Sequence, residues 1–168
     1  MDIVVYPDSV LKEIAEPVEN IDSEIQGIID RMADLMYGNS GIGLAANQVG
    51  IPKRIIIFDI NYRENQRDLN VLINPVILSG EDKIVYEEGC LSVPYFNGKI
   101  NRKKYIKVQG LNRDGNLVDI DAEDLTAICI QHEIDHLDGV LILDHVSALK
   151  RNMYKKKIKN LIKKDKNG

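Results

Sequence analysis

The segment QHEIDHLDG, residues 131–139, constrains the fold of this chain more than any other stretch. It contains His132, Glu133 and His136 in the order HExxH, followed by Gly139, a residue type that commonly ends a helix. Residues four positions apart lie on one face of an α-helix, so both imidazoles can bind one metal ion while Glu133 lies beside them. A surface helix with two incidental histidines is the simpler alternative. If the metal site is real, the fold must bring a further ligand to this helix face.

Apolar periodicity predicts three helices. The first covers IDSEIQGIIDRMADLMYG, residues 21–38, where Ser23 and Gln26 have the spacing of a capping box. The second contains HExxH and runs from about Glu123 to Asp138, and the third begins near Ser147. The metal-binding helix is therefore expected between an N-terminal and a C-terminal helix.

Short apolar runs between these helices predict mostly antiparallel strands. Three of the runs are RIIIFDI, VLINPVIL and DKIVYEE, at residues 54–60, 71–78 and 82–88. Within residues 103–121, an Asp-Gly turn at 114–115 joins two alternating segments. We therefore expect an α+β fold, a single domain of mostly antiparallel strands around a central metal-binding helix.

Length and composition agree with one globular domain. A chain of 168 residues that is 44% hydrophobic can bury one core but is too short for two comfortable domains. No apolar run is long enough to cross a bilayer, and the start MDIVVYPDSV lacks the pattern of a secretion signal. We expect a cytoplasmic protein without membrane association. In a reducing compartment, Cys90 and Cys129 are more typical of free thiols or metal ligands than of a disulfide.

The charge is distributed unevenly along the chain. Residues 147–168 contain nine Lys or Arg against one acid, a net charge of +8, whereas the whole chain has a net charge of -4. The remaining residues are therefore strongly acidic, which argues against DNA binding and against general nucleic-acid binding. The basic tail alone could bind phosphate groups.

The identity of the third metal ligand determines the class of enzyme. A catalytic zinc site usually has three protein ligands and one open position. The protease pattern HExxHxxGxxH requires a histidine where this chain has Ile142, and no glutamate follows Glu133. Asp144 and His145 follow the predicted end of the helix, and neither has the spacing of a third ligand in these two protease patterns. We therefore expect them to be surface residues.

The two cysteines remain as candidate ligands. Cys129 shares the helical face of the histidines, but seven residues separate it from His136, about 10 Å along the axis, whereas a Zn–S bond is about 2.3 Å. Leu125, Ile128 and Cys129 are therefore expected to wall an apolar pocket, with plain core packing as the alternative. Cys90, at the end of a predicted strand, would by itself most often be an inert buried thiol. Combined with a two-histidine helix that lacks a ligand, it becomes the candidate.

Three segments in this order resemble the motifs of peptide deformylases. They are GIGLAANQVG at residues 41–50, EGCLS at 88–92 and QHEIDH at 131–136. Peptide deformylases remove the formyl group from the N-terminal formylmethionine of new bacterial proteins. The resemblance covers nearly the whole chain. It implies a catalytic domain at residues 1–146 and, as part of the same domain, a basic C-terminal helix at 147–168 that is typical of one bacterial subgroup.

The resemblance implies a chemical role for each motif residue. The metal would be Fe(II) in the native state, with Zn(II), Ni(II) or Co(II) possible on isolation, bound by Cys90, His132 and His136. Metal-activated water would attack the formyl carbon, with Glu133 as general acid and base. The oxyanion would be held by the side-chain amide of Gln48 and the backbone N–H of Leu91. Glu88 and Arg102 would pair behind the site and support it.

The glycine-rich loop and the metal-binding helix together predict how a peptide substrate binds. Gly41 and Gly43 permit close approach, so the backbone beside Leu44 could pair with an extended peptide. The methionine side chain would enter a pocket walled by Ile42, Leu125, Ile128 and Cys129. Subgroup members often carry an arginine shortly after CLSVP, where this chain has Asn97 and Gly98. This departure affects how the part of the peptide that follows methionine is bound, and it does not affect the chemistry.

The basic tail can form an amphipathic helix. Its apolar face is expected to comprise Leu149, Met153, Ile158, Leu161 and Ile162. One interpretation is a solvated lysine face that covers one end of the domain. The other is docking on ribosomal RNA, which would place the active site near emerging nascent chains.

The sequence therefore predicts a metal-dependent hydrolase that removes the formyl group from formylmethionyl peptides. A metalloprotease that cuts internal peptide bonds is the enzymatic alternative, disfavoured by Ile142 and by the cysteine ligand. The non-enzymatic alternative is a ribosome-binding or RNA-binding module with a structural metal. Such a site would need four ligands, and no motif supplies an obvious fourth.

Overall fold

The computed structural model describes residues 1–62 and 66–167, with the side chains described as far as residue 164. The helices are α1 (Ser23–Gly38), α2 (Asp124–Leu137) and α3 (Ala148–Asn167). The strands are β1 (Gly43–Ala45), β2 (Ile55–Phe58), β3 (Asn70–Cys90), β4 (Val93–Leu111) and β5 (Leu117–Glu123). They form one antiparallel sheet in the order β1-β2-β3-β4-β5. The α+β fold expected from the sequence is confirmed.

Helix α1 ends at Gly38 as predicted, but it begins at Ser23, two residues after the predicted start, and has a different cap. Its N-cap is Asp22, whose Oδ1 accepts a hydrogen bond of 3.0 Å from the backbone N–H of Ile25. The capping box of Ser23 and Gln26 is wrong. The Gln26 amide instead donates to the carbonyl oxygen of Arg113 at 2.6 Å, because the loop between β4 and β5 packs against this end of the helix. One face of α1 is buried, through Ile25, Ile28, Ile29, Met32 and Met36.

Strand β3 joins two apolar runs that the sequence separates. Residues 71–78 and 82–88 belong to one 21-residue strand, which forms a long hairpin with β4. Irregularities between Ile73 and Val76, and between Ile77 and Ser79, accommodate Pro75 within the ladder. The hairpin ends at Cys90 and Val93, so the strand pairing itself determines where Cys90 lies.

Two predicted glycine positions have the expected geometry. Gly115, in the turn between β4 and β5, has a positive φ of 80°. Gly139 follows α2 with φ 71°, and a Cβ there would lie 2.5 Å from the carbonyl oxygen of Lys12. Glycine is therefore required at the end of α2, since both the dihedral angle and the close backbone contact exclude a side chain.

Helix α3 packs on the domain through a face that only partly matches the predicted one. Tyr154 and Ile158 are buried in a cluster with Leu11 and Val93, whereas Leu149 and Met153 are 71% and 64% exposed. The prediction is confirmed for Ile158 and Leu161, and it is wrong for Leu149, Met153 and Ile162, which are exposed. The helix contains lysines on most sides, so its apolar residues do not define one stripe, and contact with the domain selects the tyrosine face. No helix in the described part of the chain is long and apolar enough to span a membrane.

Candidate metal centre

Helix α2 supplies two imidazoles to one point. His132 and His136 are both buried, and their Nε2 atoms lie 3.2 Å apart. Two facing ring nitrogens at this distance cannot both carry protons, so at least one is an acceptor. A pair of ring nitrogens that face each other across a buried gap is suited to bind a cation.

The end of β3 brings a thiol to the same point. Cys90 Sγ lies 3.3 Å from His136 Nε2, although 46 positions separate the two residues. Ligand atoms of Cys90, His132 and His136 all lie within 4.8 Å of one another. Around a tetrahedral ion with Zn–N of about 2.05 Å and Zn–S of about 2.3 Å, neighbouring donor atoms are about 3.3–3.6 Å apart. The three side chains therefore fit a divalent transition metal.

Glu133 lies beside these donors with one oxygen unused. Its Oε2 is buried and has no hydrogen-bond partner among the described residues. A buried carboxylate oxygen without a partner costs free energy unless a proton, water or ligand satisfies it. Burial raises the pKa of Glu133 to about 7, with the nearby Glu88 adding to the shift. A carboxyl group with a pKa near 7 can both accept and return a proton at neutral pH.

Glu88 and Arg102 form a buried ion pair behind His132. Arg102 donates from Nε and Nη2 to the two oxygens of Glu88, at 2.8 and 2.9 Å. Glu88 Oε1 also lies 2.8 Å from His132 Nδ1. Burial alone would raise the pKa of Glu88, but the hydrogen bonds to Arg102 and His132 outweigh it and lower the pKa to about 2. The carboxylate is thus kept charged and determines which nitrogen of His132 points away from it.

The two histidines differ in their protonation energetics. Burial lowers the pKa of His136 well below its usual value, which favours the neutral, metal-binding imidazole. Burial also opposes protonation of His132, but hydrogen bonds to Cys90 and Glu88 outweigh it and raise its pKa. A cation that entered this centre would displace that proton, as metal binding to protonated ligands generally does.

Gln48 is held with its amide N–H groups toward the thiol. Its Oε1 accepts a hydrogen bond of 2.9 Å from the N–H of Ala45, which determines the orientation of the side chain. Its Nε2 donates to Ser92 Oγ at 3.1 Å and faces Cys90 Sγ at 3.6 Å. Gln48 is only 2% exposed. Leu91, the other expected oxyanion residue, lies in the turn directly after Cys90.

Strand β1 passes directly over Glu133. A Cβ on Gly43 would lie 2.6 Å from Glu133 Oε1 and 2.6 Å from Cys129 Sγ. Even the substitution Gly43→Ala would displace the carboxylate of Glu133. Gly43 is therefore required because the backbone passes close to Glu133, as the sequence predicted for this glycine.

The metal centre opens into a cavity of about 520 Å³. Its walls include five residues predicted to bind substrate: Ile42, Gly43, Leu125, Ile128 and Cys129. Burial raises the pKa of the Cys129 thiol well above its usual value, so this group forms a neutral, apolar part of the wall. The apolar part of this wall suits an apolar side chain.

The sixth predicted substrate residue, Leu44, does not line this cavity. Its side chain is fully buried against the α1 side of the sheet. Ile42 O accepts a hydrogen bond from Asp59 N at 2.9 Å, and the antiparallel ladder then alternates. Leu44 therefore pairs with β2, while the N–H and C=O of Gly43 point away from it. Since β1 is an edge strand, those two groups are available to an extended peptide.

Asn97 and Gly98 pack closely within the hairpin of β3 and β4. Asn97 Oδ1 would lie 2.7 Å from a Cβ on Gly89, so the two residues pack closely across the hairpin. A Cβ on Gly98 would lie 3.0 Å from Val146 and 3.1 Å from the ring of Phe96. Close packing of the hairpin against the segment before α3 therefore accounts for Gly98.

Several contacting residues are absent from the sequence-based set. Ser92 is fully buried and accepts from Gln48, and Asp135 Oδ2 accepts from both Arg102 Nη1 and His145 Nε2. Asp144 and His145 are exposed, as expected. His145 nevertheless adds to this network through Asp135. Asp135 lies within the HExxH motif, so its position in the sequence indicates that it lies near the metal centre. Nothing in the sequence connected His145 to it.

Comparison with known proteins points to one family. A family model described as polypeptide deformylase matches residues 1–152. A peptide deformylase of Thermodesulfovibrio yellowstonii is 48% identical over 159 residues, which cover 95% of this chain and 96% of that protein. A peptide deformylase of Desulfosudis oleivorans is 47% identical over 164 residues, covering 97% and 95%.

Solved structures agree with the sequence comparison. A peptide deformylase from Legionella pneumophila superposes with a TM-score of 0.91 at 38% identity, covering 99% of this chain and 98% of that one. A peptide deformylase from Ehrlichia chaffeensis in complex with actinonin has a TM-score of 0.89 at 39% identity, covering 95% and 96%.

Proposed function

This chain belongs to the polypeptide deformylase family, hydrolases that remove the N-terminal formyl group from formylmethionine of new polypeptides, and we propose how its residues perform that reaction. Cys90, His132 and His136 hold the metal. Glu133 transfers protons, and Gln48 and the N–H of Leu91 stabilise the oxyanion. Glu88 and Arg102 orient His132 from behind.

One observation carries this assignment. The three donor atoms form a cluster with contacts of 3.2 and 3.3 Å, and the buried, unpartnered Oε2 of Glu133 lies beside them at the end of the cavity. Three ligands leave one position open, which is the arrangement of a catalytic rather than a structural site. When bound, the metal supplies Lewis acidity that polarises a carbonyl group and acidifies water.

Glu133 performs the proton transfers. Its carboxylate accepts a proton from the water that attacks the formyl carbon, and it returns that proton to the amine nitrogen as the C–N bond breaks. The pKa of about 7 suits both steps near neutral pH. The proton count balances, since formate and a free amino terminus are the products.

The oxyanion that forms on the formyl group is stabilised by donors held in advance. The Gln48 amide is fixed by Ala45 and Ser92, so it needs no reorganisation during the reaction. The backbone N–H of Leu91, in the turn after Cys90, is the second donor. Gln48 belongs to the glycine-rich loop, which precedes Cys90 in the sequence, and Leu91 belongs to the hairpin, directly after Cys90.

The peptide binds along the free edge of β1. The N–H and C=O of Gly43 pair with the substrate backbone in strand fashion, and the methionine side chain enters the pocket formed by Ile42, Leu125, Ile128 and Cys129. Leu44 contributes only by anchoring β1 to the core. The methionine side chain is favoured because these four residues form an apolar pocket.

The native metal is proposed to be Fe(II), with Zn(II), Ni(II) or Co(II) able to replace it. One thiolate and two imidazoles accommodate all four ions, so metal supply rather than ligand type decides which one is bound. Anaerobic purification with metal analysis distinguishes them.

Formate release from formyl-Met-Ala tests the proposal. We expect the iron-loaded wild type to release formate, Cys90→Ser to lose metal, and Glu133→Ala to keep metal without activity. No formate from the loaded wild type, or full activity in Glu133→Ala, would overturn the assignment. A metalloprotease would instead cut internal peptide bonds of the same peptides without releasing formate.

We also propose that α3 belongs to the catalytic domain and docks on ribosomal RNA in the cytoplasm. Burial of Tyr154 and Ile158 supports the first part, and the exposed lysines of α3 support the second. Reversal of exposed charges, for example Lys156→Glu with Lys159→Glu, leaves the buried face intact. We expect it to weaken ribosome co-sedimentation in a salt-dependent way. Unchanged co-sedimentation would contradict docking through this helix.

A further inference from the structure

Tyr95 has an unusual backbone at the mouth of the cavity. It lines the cavity, is 75% exposed, and adopts a positive φ of 63°. A bulky residue rarely adopts this conformation, which persists only where the surroundings impose it. An exposed aromatic ring that is held in a strained conformation beside a peptide-binding cavity requires an explanation.

Helix α3 imposes this conformation from both sides of Tyr95. The hydroxyl of Tyr154 donates to the carbonyl oxygen of Pro94 at 3.0 Å. The rings of Tyr154 and Phe96 pack edge to face, with centroids 5.4 Å apart. The residues before and after Tyr95 are therefore both anchored to Tyr154, and the Tyr95 ring is directed to solvent.

The same helix places a cation over this ring. Lys157 lies three residues after Tyr154, and its Nζ is 5.6 Å from the centroid of Tyr95. Within residues 1–62 and 66–164, no carboxylate pairs with Lys157 at salt-bridge distance. Glu87, an acid that also lines the cavity, faces Lys99 across the hairpin. Lys157 is thus a cation beside Tyr95 without a paired carboxylate among the described residues.

We propose that Tyr95 and Lys157 form a subsite for the peptide beyond formylmethionine, which favours an acidic residue over a basic one. The inference rests on the proposed function, because it requires a peptide that leaves the cavity past Tyr95. The ring provides a flat apolar surface, and the ammonium group binds a carboxylate. Tyr154 is a positioning residue, which acts through the Pro94–Phe96 segment.

Amidated tetrapeptides that begin with formyl-Met test the charge preference. A single Glu, Gln or Lys is placed at the second, third or fourth position, and kcat/KM is measured for each. We expect one position where Glu exceeds Lys by about two- to fivefold in the wild type, the range of an exposed ion pair. The ratio should decrease at raised salt. It should approach one in Lys157→Ala and reverse in Lys157→Glu.

Lys155→Ala is the matched control. It removes the same charge from α3, but two residues at about 100° each place Lys155 far around the helix from Lys157. We expect it to retain the wild-type ratio. If Lys155→Ala lowered the Glu-to-Lys ratio of kcat/KM as much as Lys157→Ala, the overall positive charge of α3 would explain the preference, and the subsite would be overturned. Absence of any charge preference in the wild type would also overturn it.

Tyr95→Asn tests the ring separately. Asparagine tolerates the left-handed conformation, so this change removes the ring without disturbing the backbone. We expect KM for the tetrapeptides to rise about two- to fivefold while kcat changes less. Tyr154→Phe, which keeps the ring contact and removes the hydrogen bond to Pro94, should move KM in the same direction. Unchanged KM in both variants would overturn the roles of Tyr95 and Tyr154. Deformylation of formyl-Met-Ala by the wild type tests the proposed function on its own.

Discussion

Glu88 Oε1 lies 2.8 Å from Nδ1 of His132, on the side of the imidazole opposite the nitrogen that faces the metal centre. Because Arg102 binds both oxygens of the same carboxylate, Glu88 cannot rotate away. The ion pair therefore holds the imidazole of His132 in one orientation.

Glu88→Gln is expected to weaken metal binding. A hydrogen-bonded partner of a ligand histidine typically contributes about 10- to 100-fold to metal affinity, and the amide supplies less negative charge than the carboxylate. Competition with a chelator measures the loss. Glu81→Gln, an exposed change on the same strand, is the control and should retain wild-type affinity. Equal metal affinities in the two variants would show that Glu88 does not contribute to metal binding.

Glu133→Gln should separate metal binding from chemistry. The amide fills the same space but cannot transfer a proton, so we expect kcat to fall about 10²- to 10⁴-fold. Metal content should stay at the wild-type level, since Glu133 is not one of the three clustered donors. Kinetics of formate release combined with metal analysis give both values. A loss of metal that parallels the loss of kcat would mean that Glu133 is a ligand.

Gly43→Ala is expected to reduce activity sharply. The new Cβ would lie 2.6 Å from both Glu133 Oε1 and Cys129 Sγ, and neither side chain has room to withdraw, because both are buried. Gly38→Ala is the control, since a Cβ there has no atom within 4 Å. Activity and thermal unfolding of both variants check the prediction. Wild-type activity in Gly43→Ala would show that β1 can move away from the centre.

Ile158→Ala should destabilise the domain, whereas Met153→Ala should not. Ile158 is 5% exposed and Met153 is 64% exposed, although both lie on α3. Truncation of a buried isoleucine costs about 2–5 kcal/mol of unfolding free energy, and an exposed side chain contributes little. Urea unfolding measures the difference. Equal stabilities would mean that α3 does not pack on the domain as described.

Asp144 should make stability depend on pH in acid. Burial alone would raise its pKa, but hydrogen bonds from the Leu141 N–H and from Lys12 lower it overall. A lowered carboxyl pKa adds stability that is present above the unfolded value of about 3.9 and is lost as the pH falls through the native value.

The difference in unfolding free energy between the wild type and Asp144→Asn should therefore shrink as the pH falls from about 5 toward 2. Urea unfolding across this range measures it, with the exposed change Asp34→Asn as a control. A difference that stays constant with pH would contradict the contribution of the charged carboxylate.

Local patterns in the sequence were sufficient for much of the fold. Helix α1, the metal-binding helix and the turn at Gly115 follow from periodicity, glycine positions and turn chemistry, all of which act over a few residues. Where two neighbouring residues could both cap a helix, the local pattern did not decide between them. Asp22 caps α1 instead of Ser23, because the side chain of Gln26 is engaged by Arg113 from another part of the chain.

The sequence by itself determined that two histidines and a glutamate share one helix face, because helical spacing requires only local geometry. Only the tertiary structure brought Cys90 to 3.3 Å from His136, since that distance depends on the register of a long hairpin. The tertiary structure also determines that α3 buries Tyr154 and that Lys157 lies over the ring of Tyr95 at the cavity mouth. Such contacts join residues far apart in the chain, and only packing of the whole domain decides them.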